Sequence, residues 1–299
     1  MKRSSLYAGV QLLAGSVAQL LKGAMFRNAF VHKLALRHPA TFVFFANRFD
    51  RGSFQGMTLT ALAVAFFYLL ALFAGLIEDV LTLDPIVNLD HAVVRSIAVW
   101  RTPDVVSVFV WITSLGNTPV VVVLICVACG IAWLCNRGYA IAGLLVANIG
   151  ASTLSTLSKL TFQRARPLEA ALLEMSYSFP SGHATIAVAF YGSVGYLVIR
   201  SASSYTARFS VLFGVVAIAL LLGLSRIVLG VHYLSDVMGG YLVGSMGLVA
   251  GIGVMEWLTD AGRMNWHAAI GRSCAVAATA LLAAAAGGFA GYLHLQGPH

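Results

Sequence analysis

MTLTALAVAFFYLLALFAGLI, Met57–Ile77, is a run of twenty-one residues without a charge. About 20 apolar residues in a helix cross a bilayer. Outward from this run the pattern repeats at Val120–Leu134, Tyr139–Ser158, Gly182–Ile199, Arg208 to about Leu224, Asp236–Trp257 and Ala268–Leu293. Of 299 residues, 59% are hydrophobic and 10% charged, where a soluble domain has about a quarter charged. The predicted fold is therefore all-α, a polytopic transmembrane helical bundle. Residues 57–257 form a six-span core and residues 258–299 add an extra C-terminal span. Residues 1–56, basic and amphipathic, are read as interfacial helices. Val105–Leu134 is too long for one straight span, and Gly116-Asn117-Thr118-Pro119 interrupts it, so a short helix is expected before the span at 120–134. The glycines of Asp236–Trp257 suit close helix packing.

Charge sets the orientation. Residues 1–56 hold eight Lys and Arg against one acid, Asp50. With the amino terminus in the cytoplasm, these eight join Arg137, Arg200, Arg208, Arg263 and Arg272 on the inside, thirteen of the nineteen basic residues. The loop Glu78–Asp104, which is rich in acids, then falls outside. The net charge of +8 is explained by basic loops at an anionic membrane face, with no need of nucleic acid. Cys126 and Cys129 form a CxxC with no histidine or second pair nearby. Small apolar residues in a span explain them better than a metal or redox site.

The same orientation brings three polar stretches to one outward face: Lys159–Pro167, Pro180–His183 and Ser225–Asp236. Chance polar residues do not sort this way, and ionisable groups at membrane depth are functional candidates by default. KLTFQRARP crowds Lys159, Arg164 and Arg166, cations that repel unless an anion joins them. PSGH opens a helix, where free amides make a phosphate cradle and Gly182 leaves the backbone open to a ligand. SRIVLGVHYLSD holds Arg226, His232 and Asp236. If that piece is helical, His232 and Asp236 stand at i, i+4 and touch, so the carboxylate can orient the imidazole. Each stretch alone has a plainer explanation: a snorkelling basic loop, an ordinary helix cap, or a capping pair beside an arginine.

Taken together, KLTFQRARP, PSGH and SRIVLGVHYLSD resemble the signature of the type-2 phosphatidic acid phosphatase family, with every identity and spacing kept. The resemblance covers about residues 57–257. It implies a nucleophilic His232 oriented by Asp236, and His183 as proton donor to the leaving oxygen. It also implies Lys159, Arg166 and Arg226 on the phosphoryl oxygens, with Ser181 and Gly182 as further donors. No metal and no cofactor are implied, since three cations and helix-start amides supply the charge stabilisation that phosphoryl transfer needs. Glu169 and Glu174 are read as solvated loop residues, or at most substrate-selecting ones.

The implied partner is a membrane lipid carrying a phosphate or diphosphate: polyprenyl diphosphate, phosphatidylglycerophosphate, phosphatidic acid or a lipid A phosphate. The implied place is a bacterial inner membrane, with the site periplasmic. A phosphotransferase of the same family is one alternative. A lipid transporter or scramblase is another, weakened because it needs a path to both faces and has no use for a His–Asp pair.

Overall fold

The computed structural model describes residues 33, 36–38, 40, 44, 48–50, 53–82, 85–172, 174–264, 266 and 272–295. Most of 1–56, where interfacial helices are expected, lies outside the described residues. Two compact units divide the chain, Met1–Ala61 and Leu62–His299. In the first, the guanidinium of Arg48 lies 4.6 Å from the centre of the Phe44 ring and donates to the Gln55 carbonyl at 3.0 Å.

Helices and no strands make up the regular structure among the described residues. They are α1 (Leu59–Leu81), α2 (Pro85–Ala98), α3 (Pro103–Ser114), α4 (Thr118–Leu134), α5 (Ala140–Phe162), α6 (Gly182–Ser201), α7 (Tyr205–Val228), α8 (Leu234–Asp260) and α9 (Arg272–Leu295). Six helical stretches among the described residues are long and apolar enough to cross a membrane, with α3 and α4 counted as one. The protein is an all-α integral membrane protein. The break at Leu115–Asn117 falls where Gly116-Asn117-Thr118-Pro119 predicts it: Asn117 is the extended N-cap of α4 and Pro119 sits in its first turn. Prolines at helix starts are tolerated because their missing N–H would have no partner there.

The outside of the bundle is as apolar as its interior. Phe67 and Tyr68 on α1, and Phe209 and Phe213 on α7, are exposed, which suits hydrocarbon rather than water. Lipid tails give helices no hydrophobic reason to associate, so close contact of small residues does that work. α8 packs against α5 and α6 through glycines. A Cβ on Gly247 would lie 2.5 Å from the Ala147 carbonyl oxygen of α5, and one on Gly240 would lie 2.5 Å from that of Ser181. Cys126 and Cys129 on α4 are free thiols.

The turn from α7 to α8 places the central histidine. Gly230 has φ +68°, the left-handed conformation that glycine adopts without penalty. Its N–H donates to Ile227 O at 3.0 Å and that of Val231 to Arg226 O at 3.1 Å, the paired bonds of a Schellman motif. The chain reverses within a few residues, leaving His232 between the end of α7 and the start of α8.

Candidate active site

His232 is therefore not on a helix: the stretch 225–236 is helical only to Val228 and again from Leu234. The i, i+4 spacing works by a different route. Asp236 stands in the first turn of α8, where Oδ2 accepts from the Tyr233 amide at 2.9 Å and lies 3.4 Å from Nδ1 of His232. A carboxylate at a helix start is held by free amides, and this one meets the imidazole that leads into the helix.

The tautomer follows from the other ring nitrogen. Nη1 of Arg166 lies 3.1 Å from Nε2 of His232. A guanidinium only donates, so Nε2 is the acceptor and holds a lone pair. The proton then sits on Nδ1, facing Asp236. Burial, followed by the charges of Arg226, Arg166 and Lys159, holds the imidazole well below its ordinary pKa. His232 is thus a neutral, buried imidazole with its lone pair aimed at Arg166.

The loop 163–181 carries Arg166, while Arg226 and Lys159 reach the site from helix ends. Ser178 ties the loop closed, its amide donating to Arg164 O at 2.9 Å and its hydroxyl to Ala165 O at 3.0 Å. Phe179, buried, stacks on Phe73 at 5.8 Å and meets the edge of Phe162 at 5.9 Å. Arg166 donates to Ser176 O and Val231 O, each at 2.7 Å, so its fork is fixed before any anion arrives. Arg226, in the last turn of α7 and fully buried, donates to the Thr113 hydroxyl at 2.7 Å. Lys159, in the last turn of α5, donates to Tyr177 O.

His183 begins α6 with Nε2 3.0 Å from Oδ1 of Asn117. Ser181 occupies the N-cap position, yet its hydroxyl makes no cap bond and is buried without a partner, while its amide donates to Asp236 O at 2.9 Å. Its amide is therefore already used, and its hydroxyl is left without a partner. A Cβ on Gly182 would meet nothing within 4 Å, so the backbone there is open. One cavity of about 630 Å³ is lined by Lys159, Arg166, Gly182, His183 and His232 at one end and by Val121, Ile125 and Ile149 further along.

Four residues matter that the motifs do not name. Glu174 bridges Arg166, at 3.1 Å, and Arg226. It is not a solvated loop residue: its carboxyl is held below the usual range because those two cations outweigh its burial. Arg164 holds Asp236 at 2.6 Å and Asp90 at 2.8 Å. Asn117 holds His183. The mutual repulsion of Lys159, Arg164 and Arg166 was the sequence signal that anions had to be near; nothing in the spacing said which.

Residues 140–260 match the PAP2 superfamily. Phosphatidylglycerophosphatase B of Bacillus subtilis is 30% identical over 161 residues, 52% of this chain and 77% of that protein. The chain belongs to the PAP2 superfamily. A crystal structure of a transmembrane PAP2-type phosphatidylglycerolphosphate phosphatase from Bacillus subtilis is similar with a TM-score of 0.51 at 26% identity, covering 67% of this chain and 94% of that one. Aquifex aeolicus LpxE gives 0.41 at 26%, covering 55% and 93%. As a PAP2 lipid phosphatase the protein is a phosphoric monoester hydrolase, and the three PAP2 motifs are the stretches that converge around His232.

Proposed function

We propose that this protein hydrolyses a lipid-borne phosphate or diphosphate through a phosphohistidine on His232. The observation that carries this is the Nε2 lone pair of a neutral His232 set beside Arg166, with Arg226 and Lys159 near enough to depress its pKa. In the first displacement Nε2 bonds to phosphorus as the ester P–O bond breaks, and His183 gives its proton to the departing lipid oxygen. In the second, water attacks phosphorus, the P–N bond breaks, and His183 takes the water's proton. The products are the lipid alcohol, or the lipid monophosphate from a diphosphate, and inorganic phosphate. Splitting the hydrolysis this way replaces one hard step by two easier ones. Lys159, Arg166, Arg226, the Ser181 hydroxyl and the Gly182 backbone neutralise the equatorial oxygens. Asp236 stabilises the charge that forms on the ring.

The substrate class is supported by the cavity, which joins the cationic end to apolar side chains of α4 and α5. A head group reacts there while its tails stay among helices. In this reading residues 57–257 are the phosphatase core, in a bacterial inner membrane with the site periplasmic and the amino terminus cytoplasmic. The activity named for the Bacillus subtilis relative, phosphatidylglycerophosphatase B, makes phosphatidylglycerophosphate the first substrate to try. Purified protein is assayed against that lipid, phosphatidic acid, a polyprenyl diphosphate and a lipid A phosphate in ¹⁸O-labelled water. Labelled phosphate release identifies a hydrolase and its substrate. Transfer of phosphate to a second lipid without label in the product would identify a phosphotransferase instead.

A further inference from the structure

Asp90 is the one acid of α2 and lies outside both the matched residues 140–260 and the three motifs. It is fully buried. Oδ1 accepts from the Ser235 amide at 2.9 Å, and Oδ2 accepts from the Ser235 hydroxyl and from Nη2 of Arg164 at 2.8 Å. The other end of the same guanidinium, Nη1, donates to Oδ1 of Asp236 at 2.6 Å. Four side chains thus stand in a row: His232, Asp236, Arg164, Asp90.

The charges in that row decide its purpose. Arg164 is closer to Asp236 than His232 is, 2.6 Å against 3.4 Å, and it is always charged. With Arg164 alone, the Asp236 carboxylate would be neutralised and would offer the imidazole no net negative field. A second carboxylate on the far side of Arg164 restores one negative charge to the group. Buried charges act strongly on one another, and burying an acid is costly unless it is paired. Asp90 is paired with the cation that forms the ion pair with Asp236.

We propose that Asp90 is a positioning residue for the reaction at His232, sharing Arg164 so that Asp236 stays available to the positive ring of the phosphoenzyme. This rests on the phosphohistidine reading above. Asp90 does not line the cavity, so it acts on the chemical step and not on binding.

The test is a double-mutant cycle on the full-length protein, Asp90→Asn, Arg164→Gln and both together, reading kcat, KM and the rate of ³²P-phosphoenzyme formation. Supporting groups behind an imidazole are worth about 10- to 100-fold at metal sites, and Asp90→Asn is expected to lower kcat and phosphorylation by that order with KM unchanged. The double variant removes the competing cation as well and is expected to recover much of the loss. A double variant as impaired as Asp90→Asn, or more, would make Asp90 a mere tie between α2 and α8 and overturn the proposal. So would Asp90→Asn at wild-type kcat. If Asp90→Asn does not fold, the double variant, which strands no buried cation, carries the test alone: kcat near wild type supports the proposal, and kcat as low as that of Asp236→Asn defeats it. Trapping wild-type protein separates the underlying reading. A wild-type enzyme that forms no phosphohistidine overturns that reading and this one with it, whereas normal wild-type labelling with an unaffected Asp90→Asn overturns only this one.

Discussion

Oε2 of Glu174 accepts from Nη2 of Arg166 at 3.1 Å, and the same carboxylate is paired with Arg226, so an acid stands between two of the three cations that the proposed mechanism places on the phosphoryl group. Any phosphate entering the site competes with it. Glu174→Gln is expected to tighten inhibition by inorganic phosphate and by vanadate roughly 5- to 10-fold. That is the worth of a partly exposed ion pair, about 1 kcal/mol. Inhibition constants measured at fixed ionic strength check this, and weaker inhibition in the variant would mean that Glu174 builds the phosphate site instead of contesting it.

The acid limb of kcat/KM reports the free enzyme's base. Burial and three cations hold His232 well below its ordinary pKa, while Glu174 pulls it slightly back up. In the proposed mechanism neutral His232 is the reactive form, so activity is expected to be retained as pH falls through 6.5 and to be lost only below that. Removing the negative charge with Glu174→Gln lowers the imidazole pKa further and moves the limb to still lower pH. The substrate's own phosphate titration does not respond to this variant, so a limb that stays put belongs to the substrate and not to His232.

Much of this site is legible from spacing because the motifs state it: Lys159, Arg166, His183, Arg226 and His232 converge as three stretches on one face imply. What spacing could not carry was the route. The i, i+4 step from His232 to Asp236 looks helical, but Gly230 ends α7 first, and the pair meets across a helix start. Asp90 and Arg164 are 74 positions apart, and Glu174 lies in a loop whose path is set by Phe179 and Ser178. Pairings between loops leave no period in a sequence. The one trace they left was an excess of positive charge, which identifies the need for anions without identifying the anions.

Charge stabilisation in the proposed mechanism comes from Lys159, Arg166 and Arg226, so lipid phosphatase activity is expected to survive EDTA. Complete loss on chelation, with recovery on adding Mg²⁺, would require a different chemistry at this site.

Orientation rests on the thirteen basic residues that a cytoplasmic amino terminus collects on one side. One feature pulls the other way: Cys135, at the basic end of α4, carries a disulfide, and disulfides persist in oxidising compartments. The charge bias rests on many residues and the disulfide on one bond, so the charges are expected to prevail. An alkaline phosphatase reporter fused after Arg200 is expected to be inactive, and one fused after Arg164 active. The reverse pattern would put His232 on the cytoplasmic side.

His232 and His183 both line the cavity, and their partners assign their tasks. Nδ1 of His232 faces the Asp236 carboxylate at 3.4 Å, whereas Nε2 of His183 faces the neutral amide oxygen of Asn117 at 3.0 Å. A carboxylate stabilises a ring that gains positive charge; an amide orients a ring without doing so. The first partner suits a nucleophile and the second a proton donor. His232→Ala is expected to abolish covalent labelling by ³²P-substrate. His183→Ala is expected to slow cleavage of a lipid alcohol ester by about 10²–10⁴-fold, the usual worth of a general acid, and to slow p-nitrophenyl phosphate far less, because that leaving group departs without a proton. Asn117→Ala follows His183→Ala in kind but to a smaller extent, since the ring remains and only its orientation is lost. Equal damage by His183→Ala to both substrates, together with a labelled His232→Ala enzyme, would exchange the two roles.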